Sequence, residues 1–69
     1  MNFSRHAKNR MRQMKVTPAE VEALVAAPDS EDHDAQGRRR VVGVVRGARV
    51  RVVLALEDET RVVSVHPRR

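Results

Sequence analysis

Apolar residues fall at two different periods along the chain, and the change of period divides it. Phe3, Ala7, Met11 and Met14 recur at helical spacing, which predicts a first helix capped by Ser4 and running to about Met14. Thr17-Pro18-Ala19-Glu20 has the residues of a capping box, with Thr17 as N-cap, Pro18 first in the helix and Glu20 third. Val16 and Val21 occupy the two hydrophobic-staple positions. Val21, Leu24 and Val25 form the apolar face, and Pro28 stops the helix near Ala27. Residues 28–37 are acidic and end in Gly37, which predicts a loop with at most one short edge strand around Glu31 to Asp34.

From there the period is two. Val41 to Val45, Val50 to Leu56 and Val62 to His66 are rich in β-branched residues and predict strands. Arg46-Gly47 and Asp58-Glu59 are the turn positions. Two-residue turns at both sites pair Val45 with Ala48, Gly43 with Val50 and Val41 with Val52. They also pair Leu54 with Val63, Val52 with Val65 and Arg51 with His66. Alternation then places Val41, Val45, Val50, Val52, Leu54, Leu56, Val63 and Val65 on a core face. Arg40, Val42, Val44, Arg49, Arg51, Val53, Val62, Ser64 and His66 fall on an open face. The expected fold is α+β: two N-terminal helices packed on a three- to four-stranded antiparallel meander. It forms one domain, with a helical half at 1–27, the acidic segment at 28–37 and the meander at 38–66.

Composition narrows what such a domain can do. At 69 residues the chain buries only about 60% of its unfolded surface, so a homodimer or a permanent protein partner is the expected source of extra burial. The sequence has no cysteine, which removes disulfides, thiol catalysis and cysteine-ligated zinc. It has no apolar run of membrane-spanning length, and its N-terminal residues lack a signal-peptide core. A cytoplasmic protein is therefore expected. The net charge of +5 is arranged in blocks. Residues 1–15 hold Arg and Lys without acid, 17–36 hold acid without Arg or Lys, and Arg38, Arg39, Arg40, Arg46, Arg49 and Arg51 follow. That asymmetry points to RNA or another polyanion as partner. Phe3 is the single aromatic residue, so contacts would be to phosphates rather than by base stacking.

Three constellations could carry chemistry. Arg40, Arg51, Ser64 and His66 share the open face; an imidazole there can exchange protons near neutrality, and the arginines can hold a phosphate. His6 and Arg10 lie at i and i+4 on one side of the first helix. Each set has an alternative as an ordinary solvated surface or helix-end histidine. Asp32-His33-Asp34 could ligate a metal, but neighbours on an extended segment point in opposite directions, so no metal and no cofactor is expected.

The order of features also resembles a small bacterial family, the domain of unknown function 4258. Its members open with Phe-Ser-x-His-Ala-x-x-Arg-Met, matched here by Phe3, Ser4, His6, Ala7, Arg10 and Met11. The likeness continues through Val16, Thr17, Glu20 and Val21, Pro28 and Asp29, Gly37, Arg38, Arg40 and Gly43, and Val62 to Ser64. That family looks related to the RelE-like and BrnT-like toxin ribonucleases. The resemblance implies a compact RelE/barnase-like nuclease fold, metal-independent RNA cleavage and inhibition by a cognate antitoxin. It implicates His6, Arg10 and Arg40 in catalysis, with His66 standing where relatives often carry an aromatic residue. Arg38, Arg40, Arg49, Arg51 and Ser64 are the expected nucleic-acid contacts. A non-catalytic module that binds nucleic acid or protein through the same surface is the alternative.

Overall fold

The computed structural model describes residues 1–68. The chain runs β1 (Asn2–Phe3), α1 (Arg5–Met14), α2 (Pro18–Ala26), β2 (Ser30–His33), β3 (Arg39–Val45), β4 (Ala48–Leu54) and β5 (Arg61–Pro67). The strands form one five-stranded sheet in the order β1-β5-β4-β3-β2. The α+β class holds, but the three- to four-stranded antiparallel meander is too small. The acidic segment supplies the edge strand β2, and β1 pairs parallel to β5 through Asn2–Arg61 and Phe3–Val62. Two residues are too few to display a strand's period, so β1 has no sequence signal. Among the described residues, no helix is long and apolar enough to cross a membrane.

Local chemistry accounts for both helices. The Ser4 hydroxyl accepts from the Ala7 amide at 3.0 Å and donates to the Val63 carbonyl at 2.6 Å. One side chain thus caps α1 and fastens its start to β5. At the other end Lys15 adopts a left-handed conformation, φ 57°, and the Val16 amide donates to the Met11 carbonyl to close the last turn. The capping box of α2 is complete: the Thr17 hydroxyl accepts from the Glu20 amide, and the Glu20 carboxylate accepts from the Thr17 amide. The Arg46 guanidinium reaches both Glu20 and the Lys15 carbonyl, tying the β3–β4 turn to this helix junction. Arg46 and Gly47 both have positive φ, which gives the tight turn that the sequence predicts.

The helices cover one face of the sheet, α1 against β5 and α2 against β3. Between them lies a core of Ala7, Met11, Val21, Leu24, Val41, Val50, Val52, Leu54, Val62 and Val65. The β3–β4 register is the one expected, and so are the pairs Val52–Val65 and Arg51–His66. Beyond them the pairing shifts between Val53 and Leu54, so Leu54 faces Val62 and Val63 is left unmatched. This irregularity reverses two assignments. Val62 is fully buried in the core, and Val63 is half-buried outside it. A loop longer than two residues, with the Arg61 amide bonded to the Asp58 carbonyl, absorbs the extra residue. Leu56 is exposed rather than buried. With Val62 inside, Val42 is half-buried and Val44 exposed on the open face.

Gly43 lets α2 approach. A Cβ at this position would stand 2.7 Å from Leu24 Cγ and 3.1 Å from its Cδ1. Leu24 is itself buried and has little room to yield. Gly43→Ala is expected to cost about 1–3 kcal/mol of stability by overpacking, read as a lower urea midpoint. Pairing it with Leu24→Ala should cost less than the two single effects summed, because the second change removes the clash.

Candidate acid–base and phosphate-binding site

Strands β4 and β5 build the floor of the site. Their register sets Arg51 beside His66 and Val53 beside Ser64, on the face away from the core cluster. Val53 is buried there and gives the floor an apolar centre. His66 Nε2 lies 3.0 Å from the Ser64 hydroxyl, which can donate to or accept from the ring according to its tautomer.

Helix α1 supplies the wall. Ser4 anchors its start to β5, so the helix runs beside that strand. Ala7 and Met11 turn into the core, and the i, i+4 spacing of His6 and Arg10 turns both toward the open face. The His6 and His66 rings stand with centroids 6.1 Å apart and planes tilted by 53°. The helical pair and the sheet pair, separate in the sequence, therefore form one cluster. His6 is exposed, while Arg10, Arg51, Ser64 and His66 are half-buried.

The cluster is cationic, and the nearby Asp32 carboxylate, which feels the Arg51 charge, is bonded to Arg40 instead. Among the described residues, His6, Arg10, Arg51 and His66 form no salt bridge with a carboxylate. Arg51 Nε is sealed from solvent and has no hydrogen-bond partner. Partial burial lowers the His66 pKa from the ordinary imidazole value, and the charges of Arg51, Arg10 and His6 lower it further. Each of these influences favours the neutral ring, the form that accepts a proton. Arg51→Gln removes one of these charges, so its expected result is an upward shift of the His66 titration, followed by the ring-proton NMR signal. An unmoved midpoint would mean that the guanidinium does not act on this ring.

The arginines at the start of β3 are employed differently. Arg40 Nε and a terminal nitrogen donate to the two oxygens of Asp32 at 2.8 and 2.7 Å. Arg38 is bonded to Asp34, and Arg39 to Glu31 and Glu59. Strand β2 thus lays the acidic segment along the first arginine block and neutralises it locally. These contacts lower the pKa of Asp32, chiefly through the Arg40 hydrogen bonds, and that of Glu31 through Arg39. Arg40 shares the open face but offers a guanidinium already bonded to a carboxylate. Arg38 lies outside the cluster in its own pair with Asp34. Asp32 and Asp34 serve these ion pairs, and His33 between them is exposed. Arg49 is exposed on the open face and makes no ion pair among the described residues.

One open-face cation escapes the sequence reading. The Arg68 amide donates to the Arg49 carbonyl at 3.0 Å, continuing the β5 pairing, so Arg68 follows Ser64 and His66 in alternation. Extending the period-two pattern past His66 would have found it.

A family described as Domain of unknown function (DUF4258) matches residues 3–66, a span that includes His6, Arg10, Arg51, Ser64 and His66. No curated protein and no solved structure matches the chain.

Proposed function

The chain belongs to the domain of unknown function 4258 family, and from that premise we propose that it is a RelE/BrnT-like RNA endonuclease that needs no metal ion. The observation that carries this reading is the pair of imidazoles, 6.1 Å apart between centroids, beside Arg10 and Arg51, which form no salt bridge among the described residues. RNA brings its own nucleophile, the 2′-hydroxyl. Cleavage then requires a base, an acid and positive charge around the phosphate.

His66, favoured in its neutral form, takes the proton from the 2′-hydroxyl. The 2′-oxygen bonds to phosphorus, the bond from phosphorus to the 5′-oxygen breaks, and His6 supplies the proton to the leaving oxygen. Arg10 and Arg51 stabilise the charge that builds on the phosphoryl oxygens. Ser64 orients the His66 ring through the 3.0 Å contact. Arg40 takes a supporting place through Asp32 rather than a catalytic one. A cognate antitoxin, as the toxin families imply, would inhibit by covering this open face.

The test is incubation of the protein with RNA in the presence of EDTA. Cleavage is expected, and it should be lost in His6→Ala and largely kept in Arg40→Ala. The unpaired Arg49, Arg51 and Arg68 equally support a module that binds RNA without cutting it. Salt-sensitive retention of intact RNA would favour that reading.

A further inference from the structure

A shallow cleft of about 210 Å3 opens on the same sheet face, beyond the imidazole pair. Ser30, Glu31, Asp32, Val42, Arg51 and Arg68 line it, with the Glu31 carboxylate bonded to Arg39. It has no part in the proton transfers above. Sheet register explains its position. Ser30, Val42, Arg51 and His66 form one row across four strands, and Val44 and Arg49 begin the next row, which Arg68 extends. Arg51 therefore stands between His66 and the cleft.

Three observations give the cleft its chemistry. Arg51 Nε is buried without a partner, so this guanidinium falls short of its hydrogen-bonding capacity. An oxyanion held bidentately is the ligand that completes such a group. Arg68 is exposed and forms no salt bridge among the described residues, while its charge is felt by Asp32 across the cleft. No aromatic ring lines the cleft, and the chain's single Phe, Phe3, packs against the core cluster. Bases find no stacking surface here, so the cleft selects phosphate.

We infer that this cleft is a subsite for a second phosphate of the same polynucleotide strand, with Arg51 shared between the two phosphates and Arg68 as the outer contact. The identity of the strand as a substrate rests on the ribonuclease reading; its binding does not. Neighbouring strands of a sheet lie about 4.8 Å apart, so a step from β5 toward β3 spans about 5–10 Å. Consecutive phosphates of an extended strand can bridge that step. Asp32 limits the affinity, because it puts a negative charge at the edge of the subsite and holds Arg40 in a bidentate pair.

The probe is a short oligodeoxythymidylate, which carries the phosphates but no 2′-hydroxyl and so is bound without being cut. Its affinity is followed by fluorescence anisotropy over a range of salt concentrations. Arg68→Ala is expected to weaken binding about threefold, the worth of one exposed ionic contact. It should also reduce the slope of log K against log salt by about 0.7, the value for one lost phosphate on a single strand. Asp32→Asn should act in the opposite direction and tighten binding. Arg12→Ala serves as the control: Arg12 is exposed on α1, two residues beyond Arg10 and turned to another side of the helix. Equal effects of Arg68→Ala and Arg12→Ala, or no gain from Asp32→Asn, overturn the subsite. If the oligonucleotide responds as stated while RNA stays intact, the subsite stands and the ribonuclease reading falls. If RNA is cut but neither variant alters binding, the ribonuclease reading stands and the subsite falls.

Discussion

Replacing His66 by alanine is expected to lower RNA cleavage by about 10²- to 10⁴-fold, the usual contribution of one positioned acid or base. The variant should remain folded, because His66 is half-buried outside the apolar core and its loss opens no cavity there. His66→Gln keeps a hydrogen-bonding partner for Ser64 and should be nearly as inactive, which separates proton transfer from mere positioning. Wild-type activity should fall on the acid side at a pH below the ordinary histidine value of about 6.5. The sign follows from the environment. Burial, then Arg51, Arg10 and His6, all disfavour the protonated ring, so the base stays available to lower pH than a free imidazole would. A rate unchanged in both His66 variants would remove this residue from the chemistry.

The second large effect is on stability. Leu54→Ala is expected to destabilise the protein by about 2–5 kcal/mol, through lost transfer energy and the cavity left behind. Leu54 is fully buried in the core, on the central strand β4 and opposite Val62. A domain of 69 residues has about 3–10 kcal/mol in all. The substitution should therefore leave a large unfolded fraction at room temperature, seen as a flattened urea transition by circular dichroism. A midpoint close to the wild type's would mean that the core collapses around the missing atoms. Val53→Ala makes a useful contrast. That side chain is also buried, but it belongs to the open face, so its loss should disturb the floor beneath Ser64 and Arg40 more than the core.

Much of this architecture was legible in the sequence where the signal is local. The Thr17–Glu20 capping box, the Ser4 cap and the Arg46-Gly47 turn each follow from side-chain chemistry within four residues, and each formed as expected. From that turn the β3–β4 register followed by counting, and two of the β4–β5 pairs followed from the turn expected at Asp58-Glu59. Counting failed where one residue was inserted. The unmatched Val63 exchanged the environments of Val62 and Val63, because a strand's faces alternate and a single slip reverses them. β1 was invisible because it owes its existence to the edge of β5 rather than to its own pattern.

The candidate site shows the same division. His66, Arg51 and Ser64 were placed together by register, and His6 with Arg10 by helical spacing. Their meeting required knowing that α1 lies along β5, a tertiary fact fixed by Ser4 and the buried Ala7 and Met11. The charge blocks misled in one respect. Part of the arginine excess that pointed to a polyanion is answered within the protein, as Glu31, Asp32 and Asp34 take up Arg39, Arg40 and Arg38. Among the described residues, the arginines left without a carboxylate partner are Arg10, Arg49, Arg51 and Arg68 around the candidate site, together with Arg5, Arg12 and Arg61.

Under the proposed mechanism, two imidazoles cut RNA by way of its own 2′-hydroxyl. Mass spectrometry of the fragments formed with EDTA present tests it most directly. The expected products carry a 2′,3′-cyclic phosphate on one fragment and a free 5′-hydroxyl on the other. Fragments with 5′-phosphate ends, or RNA left intact by the folded protein, would contradict it.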